Sequence, residues 1–228
     1  MKYNFDQIIS RRETHSTKWL KFSDAEVIPM WIADMDFLCP SEITKPMIQR
    51  IDEGVFGYTD TPQSLTDIFI EKTKSNTGWQ IDKDWVVWVP GGVVGLNVAC
   101  KTVLAPGDMA MVPSPIYAPF TEAPENMERG FVKTYLKDSN GRLEFDFDEI
   151  KTLLSEDTKL LFLCNPHNPG GSVFSQEELI ELSRLCEENG VIVCSDEIHS
   201  DLVLEEGLKH IPFATINKHN QENSITIM

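Results

Sequence analysis

The chain has no apolar run long enough to cross a membrane as a helix, which takes roughly 18 residues; its longest runs, such as residues 160–164, are strand-sized. It has no C-x-x-C pair, and its five cysteines (Cys39, Cys100, Cys164, Cys186, Cys194) are odd in number and lie mostly inside apolar runs. That pattern is best explained by free buried thiols in a reducing cytoplasm. Basic residues are scarce: 20 Lys and Arg stand against 36 Asp and Glu, a formal net charge of -16. Such a surface repels phosphate backbones, so nucleic acid is not expected as a partner. The first 16 residues, MKYNFDQIISRRETHS, lack the uninterrupted apolar core and small-residue cleavage site of a signal peptide. A cytoplasmic protein with no membrane partner is expected. There is also no Gly/Ser linker, internal repeat, Walker loop or G-x-G-x-x-G fingerprint.

What is present is ordinary for one large globular architecture: 228 residues, 41% hydrophobic and 25% charged. Residues 1–50 read as an extended arm with one short helix, belonging in part to a small domain. Residues 51–228 read as a large domain, opening on an aromatic segment, 54–62, expected to be a packed loop. Beyond it, residues 64–77, 93–104, 117–127, 146–154 and 175–189 have helical patterning. Residues 85–89, 109–113, 131–136, 159–164 and 191–195 are strand-like, and 224–228 open one more strand. Ser175 with Glu178 three residues on is a capping-box start, and Asn189-Gly190 is a helix stop. Apolar strands alternating with helices predict an α/β fold, a three-layer sandwich around a mostly parallel sheet.

In open α/β sheets, ligands sit beyond the carboxyl ends of the strands, so the residues just after each apolar run carry the chemical interest. Gly91, Gly92 and Val93 stand at a strand-to-helix turn whose free N–H groups suit a phosphate, although a Gly pair is also a plain tight turn. Residues 165–171, NPHNPGG, form an irregular loop presenting Asn168; a capped turn is the plain alternative. Asp196 closes the run 191–195 in an apolar setting where an unpaired charge is costly. No Lys or Arg follows within ten residues, so a ligand cation, a metal or a distant basic group must neutralise it. Asp196, Glu197 and His199 match no common metal spacing, and no metal is expected. His199 alone is also compatible with a satisfied supporting group. Tyr117 could lay its ring over a flat ligand or join the core. The segments around Trp31 and Phe56 could line a pocket or a subunit interface.

In order, the motifs WIADMDF, FGYTDTP, VPGGVVGLN, PSPIYAPF, CNPHNPGG and SDEIHSDLV resemble the fold-type I pyridoxal-phosphate enzymes of aminotransferase class I/II. Within that group they are similar to the branch of MalY/PatB-type cystathionine β-lyases and cysteine desulfhydrases. The resemblance implies pyridoxal 5'-phosphate as cofactor, with Asp196 on the protonated pyridine nitrogen and Asn168 on the phenolic oxygen. It also implies that Tyr117 stacks on the ring and that Gly91, Gly92 and Val93 cradle the phosphate. Tyr58 would reach the phosphate of a neighbouring subunit in a homodimer, and Ala33 and Asp34 would lie near the substrate carboxylate. His199 stands where many aminotransferases carry a tyrosine, which favours the lyase branch. The implied reaction cleaves L-cystathionine or related cysteine S-conjugates, a small-molecule amino-acid substrate, to pyruvate, ammonia and a thiol. No lysine here sits in the Ser-x-Ser-Lys-like context of the family's Schiff-base residue. That residue and the C-terminal small domain are expected beyond Met228, and the chain by itself is expected to be inactive. An aminotransferase of the same fold and a non-catalytic binding or regulatory module remain the alternatives.

Overall fold

A computed structural model describes residues 3–228. The chain divides into two compact units, Met1–Asp60 and Thr61–Met228.

The first unit holds a single helical turn, α1 (Thr17–Leu20), and a 13-residue helix, α2 (Ser41–Glu53). α2 stops at Gly54, whose φ of 69° needs no Cβ and whose N–H donates to the Ile51 carbonyl at 3.0 Å. The expected arm with one short helix thus carries two helices, the second three turns long. A polar knot organises the segment between them. Asp36 accepts from Lys18 Nζ at 2.8 Å, Trp19 Nε1 at 2.9 Å and Arg11 at 2.8 Å. Those bonds, Lys18 foremost, hold its carboxyl well below the usual carboxylate range. The aromatic segment 54–62 is not a packed loop: every residue in it is exposed, Val55, Phe56 and Tyr58 included. Its aromatic content predicts burial, and residues 55, 56 and 58 are instead exposed.

The second unit opens with α3 (Gln63–Thr77), followed by a 3-10 turn, Lys83–Trp85, and then α4 (Gly92–Val103). Next come β1 (Met109–Ser114), α5 (Pro119–Asn126) and β2 (Gly130–Tyr135). A small antiparallel hairpin follows, β3 (Lys137–Ser139) and β4 (Arg142–Glu144), then α6 (Phe147–Leu153) and β5 (Thr158–Cys164). α7 (Gln176–Glu188), β6 (Ile192–Asp196), α8 (Lys218–Glu222) and β7 (Ser224–Ile227) complete the unit. The main sheet runs β2-β1-β5-β6-β7, and every neighbouring pair is parallel.

Alternation along the strands builds the three layers. Ala110, Val112, Leu160, Phe162 and Cys194 point to one face and meet Leu96, Ala99 and Cys100 of α4 and Phe120 and Ala123 of α5. Met111, Leu161, Leu163 and Val193 point to the other and meet Ile150 of α6 and Leu179, Leu182, Leu185 and Cys186 of α7. The predicted α/β sandwich with a mostly parallel sheet is therefore the observed fold. α7 begins in the predicted capping box, Glu178 N–H donating to Ser175 Oγ at 3.2 Å and Ser175 N–H to Glu178 at 2.8 Å. Four of the five cysteines are buried and free, and Cys39 is exposed.

One expected strand fails. Residues 86–89 are extended but join no sheet. Their residue types favour a strand, yet a strand exists only where a neighbour satisfies its backbone. Here a cavity of about 750 Å³ separates Val86, Val87, Trp88 and Val89 from β7. No helix among the described residues is long and apolar enough to cross a membrane.

The two-sided core makes a stability prediction. Phe162 is fully buried and meets Phe120 edge-on at 5.4 Å, so Phe162→Ala should cost about 3–5 kcal/mol in urea unfolding. Val87, 76% exposed, should tolerate alanine within about 0.5 kcal/mol.

Candidate functional site

The sheet delivers its chemistry where β1, β5, β6 and β7 end. Asp196 is the last residue of β6, in register with Cys164 of β5 and Ile227 of β7. It is 8% exposed, and Oδ1 accepts from the Ile198 N–H at 3.1 Å. Burial raises its proton affinity above the usual carboxylate value; the Ile198 N–H and His199 pull the other way, and Glu197 adds to the rise. No Lys or Arg is among the charges acting on it. The Cys164 and Cys194 thiols nearby are pushed up by burial, Cys164 to about 12, and stay neutral.

The loop after β5 is pinned from within and from above. Asn165 is fully buried and accepts the Phe174 N–H at 3.1 Å, while the Asn168 N–H donates to Cys164 Sγ at 3.3 Å. Burial lowers the proton affinity of His167 and so favours the neutral imidazole, whose Nδ1 accepts the Gly170 N–H at 3.1 Å. The β3–β4 hairpin closes over this loop. Leu143 N–H donates to Ser172 Oγ at 3.0 Å, and Arg142 reaches both the Val173 carbonyl at 3.1 Å and Glu178. Packing is so close at Gly170 that a Cβ would stand 2.5 Å from Leu143 Cδ1 and 2.7 Å from His167 Nδ1. The result is a stiff platform from which the Asn168 carboxamide projects with no hydrogen-bond partner among the described residues. The Tyr117 N–H donates to the Asn168 carbonyl at 3.1 Å, joining the loop after β1 to it, and leaves the Tyr117 ring half-exposed.

The third component is the start of α4. Gly91 has φ 113° and ψ 154°, a conformation closed to residues with a Cβ. No side chain caps the helix and no acid lies in its first turn. The N–H groups of Gly92, Val93 and Val94 therefore have no helical acceptor, and the helix dipole adds positive potential there. The helix start is seated on β7: a Cβ on Gly92 would lie 3.5 Å from Ile227 Cγ2 and one on Gly95 3.1 Å from Ile227 Cδ1. Ile227 is the β7 partner of Asp196.

Gly91, Gly92, Val93, Tyr117, Asn168, Asp196 and His199 thus all belong to the second unit, at the carboxyl end of its sheet. Tyr58, Ala33 and Asp34 belong to the first. Tyr58 is fully exposed; the Asp34 carboxylate is held by Arg11 at 2.6 Å and the Asp34 carbonyl by Lys18 Nζ at 2.8 Å. Glu197, weighed with Asp196 and His199 as a metal ligand, instead turns to His210 Nε2 at 2.7 Å. Sequence reasoning missed His210 and the hairpin clamp. Asn140-Gly141, both at positive φ, is a hairpin-turn signal that could have revealed the clamp.

Residues 25–226 match the family model for aminotransferase class I and II. The chain belongs to that family. It is 40% identical over 228 residues to the cystathionine β-lyase PatB of Bacillus subtilis (strain 168), covering 98% of this chain and 59% of PatB. The crystal structure of OvoB superposes with a TM-score of 0.92 at 42% identity, covering 98% of this chain and 59% of OvoB. The pyridoxal-phosphate-bound C-S lyase of Staphylococcus hominis superposes at 0.89 with 35% identity, covering 98% of this chain and 58% of that one. The chain therefore spans about three-fifths of the length of these relatives.

The buried carboxylate has a consequence for stability. Because the folded-state pKa of Asp196 is raised above its usual value of 3.8, the folded state loses stability as pH rises from that value through the raised one. Asp196→Asn in the cofactor-free chain should raise the Tm at neutral pH, by about 2–4 °C for each kcal/mol of relieved desolvation. Thermal melts across pH should show the gain vanish as the pH falls below 3.8.

Proposed function

We propose that this chain carries the cofactor bed of a pyridoxal-phosphate-dependent carbon-sulfur β-lyase that acts on L-cystathionine or a related cysteine S-conjugate. The observation that carries the reading is Asp196: a buried carboxylate at a strand end, with no Lys or Arg acting on it, calls for a cation from the ligand. The residues present fit the group. Asp196 would hold the proton on the ring nitrogen, the free Asn168 carboxamide would donate to the phenolic oxygen, and the half-exposed Tyr117 ring would cover one face. The uncapped start of α4 would take the phosphate through the N–H groups of Gly92 and Val93, with Gly91 letting the backbone approach. His199 would lie beside Asp196 and favour its charged form. When bound, the cofactor supplies the electron sink that lets the substrate Cα–H and Cβ–S bonds break. No lysine of this chain is assigned to carry the cofactor.

Ala33 and Asp34 would lie near the substrate carboxylate; with its side chain tied to Arg11, Asp34 would contribute shape rather than free charge. We read the working assembly as a homodimer in the cytoplasm. Exposed Val55, Phe56 and Tyr58 support an interface in which Tyr58 reaches the neighbouring subunit's phosphate. The similarity to PatB and to the Staphylococcus hominis lyase favours the lyase over the aminotransferase reading.

Equilibrium dialysis of the 228-residue chain against pyridoxal 5'-phosphate should show saturable binding. Asp196→Asn should weaken it about a hundredfold, and Asn168→Ala or Gly91→Ala about tenfold. Equal binding by wild type and Asp196→Asn would remove the basis of the reading. A polypeptide extended to the length of the relatives should release pyruvate from L-cystathionine; glutamate from 2-oxoglutarate with no pyruvate would assign it to the aminotransferases instead. Light scattering should report a dimer, and Tyr58→Phe should weaken cofactor binding without dissociating it.

A further inference from the structure

The site leaves one buried ionisable pair unused. Glu197, next in sequence to Asp196, is fully buried. Its Oε1 accepts from Ser195 Oγ and from the Phe213 N–H, each at 2.9 Å, and its Oε2 lies 2.7 Å from His210 Nε2. The His210 side chain is itself only 3% exposed. The Glu197 N–H donates to the Ile227 carbonyl at 2.8 Å. Both ends of residue 197 are thus fixed, the backbone to the end of β7 and the side chain to the turn at 210–213.

Such a pair is an expensive way to stabilise a core. Apolar residues of the same shape serve as well or better, because two desolvated ionisable groups regain little more than they lose. Its position supplies a reason for keeping it. The peptide joining residues 196 and 197 is held on both sides, so the direction in which Asp196 leaves β6 follows from how Glu197 is anchored. Glu197 also brings a second acidic group behind the first, and the thiols of Cys164 and Cys194 that also face Asp196 are neutral. His199 is the remaining titratable group acting on it.

We propose that Glu197, held by His210, is a positioning residue that aims the Asp196 carboxylate and deepens the negative potential at the strand end, so that the site selects a cationic nitrogen heterocycle. This rests on the cofactor reading above, but part of its test does not. In the cofactor-free chain, carbon-13 NMR of the aspartate carboxyl groups, with Asp196 assigned through Asp196→Asn, reads its titration directly. Glu197→Gln keeps the shape and the acceptor for Phe213 and removes the charge; the Asp196 midpoint should fall. His210→Gln keeps a donor to Oε2 and leaves the Glu197 carboxyl group in place, so the midpoint should not fall. A purely structural role would move both variants in the same direction or move neither.

Pyridoxal 5'-phosphate affinity should drop about tenfold in Glu197→Gln. Ser183→Ala, which breaks the buried bond from Ser183 to Asn220 on α8, should lower the Tm without changing that affinity. Unchanged Asp196 titration and unchanged affinity in Glu197→Gln, with only the Tm reduced, would overturn the proposal. If Glu197→Gln does not fold, Glu197→Asp decides: it keeps a carboxylate but shortens its reach to His210 and Phe213, so a shifted Asp196 midpoint with weakened pyridoxal 5'-phosphate affinity supports the proposal, and both unchanged overturns it. Loss of the cofactor reading is separately visible as unchanged affinity in Asp196→Asn.

Discussion

A carboxylate held out of water at the end of β6 is the constraint around which the rest of this unit is organised. Asp196 can keep its charge there only against the cost of desolvation, and the fold offers it one backbone N–H in compensation. The two-sided core lowers the dielectric around that strand end, and the parallel register sets Asp196 beside Cys164 and Ile227. Ile227 in turn seats the start of α4. The same few residues therefore bring a negative side chain and a positive helix terminus to one end of the sheet, the complement of a ligand with a cationic ring and an anionic tail.

Rigidity around the site comes from polar locks rather than from the apolar core. The loop at 165–171 is tied by its own backbone, by Asn165 and by the hairpin above it, with Gly170 filling a space that no other residue fits. Glu197 and His210 do the corresponding work behind Asp196. In both places groups that bond one another away from solvent, although Asn165 Nδ2, His167 Nε2 and His210 Nδ1 keep no partner among the described residues, hold Asn168 and Asp196 incompletely satisfied toward it. Specificity here depends as much on those hidden partners as on the residues that would touch a ligand.

Much of the architecture was legible in sequence because it rests on local signals. The runs at 109–113 and 159–164 sit in β1 and β5, the run at 191–195 overlaps β6 one residue early, and Ser175 and Glu178 mark the start of α7. The strand-end loops also stood out, since NPHNPGG and SDEIH are dense in residues that a plain connection does not require. What failed depended on neighbours. Residues 86–89 have a strand's composition and lack a strand's partner. Segment 54–62 has a core's aromatics and is exposed. His210 meets Glu197 across 13 residues, a pairing that no periodicity announces.

If Asp196 keeps a ring nitrogen protonated, nitrogen-15 NMR of ring-labelled pyridoxal 5'-phosphate bound to the chain at neutral pH should show a protonated nitrogen in the wild type that becomes unprotonated in Asp196→Asn. An unprotonated nitrogen in the wild type, or the same shift in both proteins, would rule that role out.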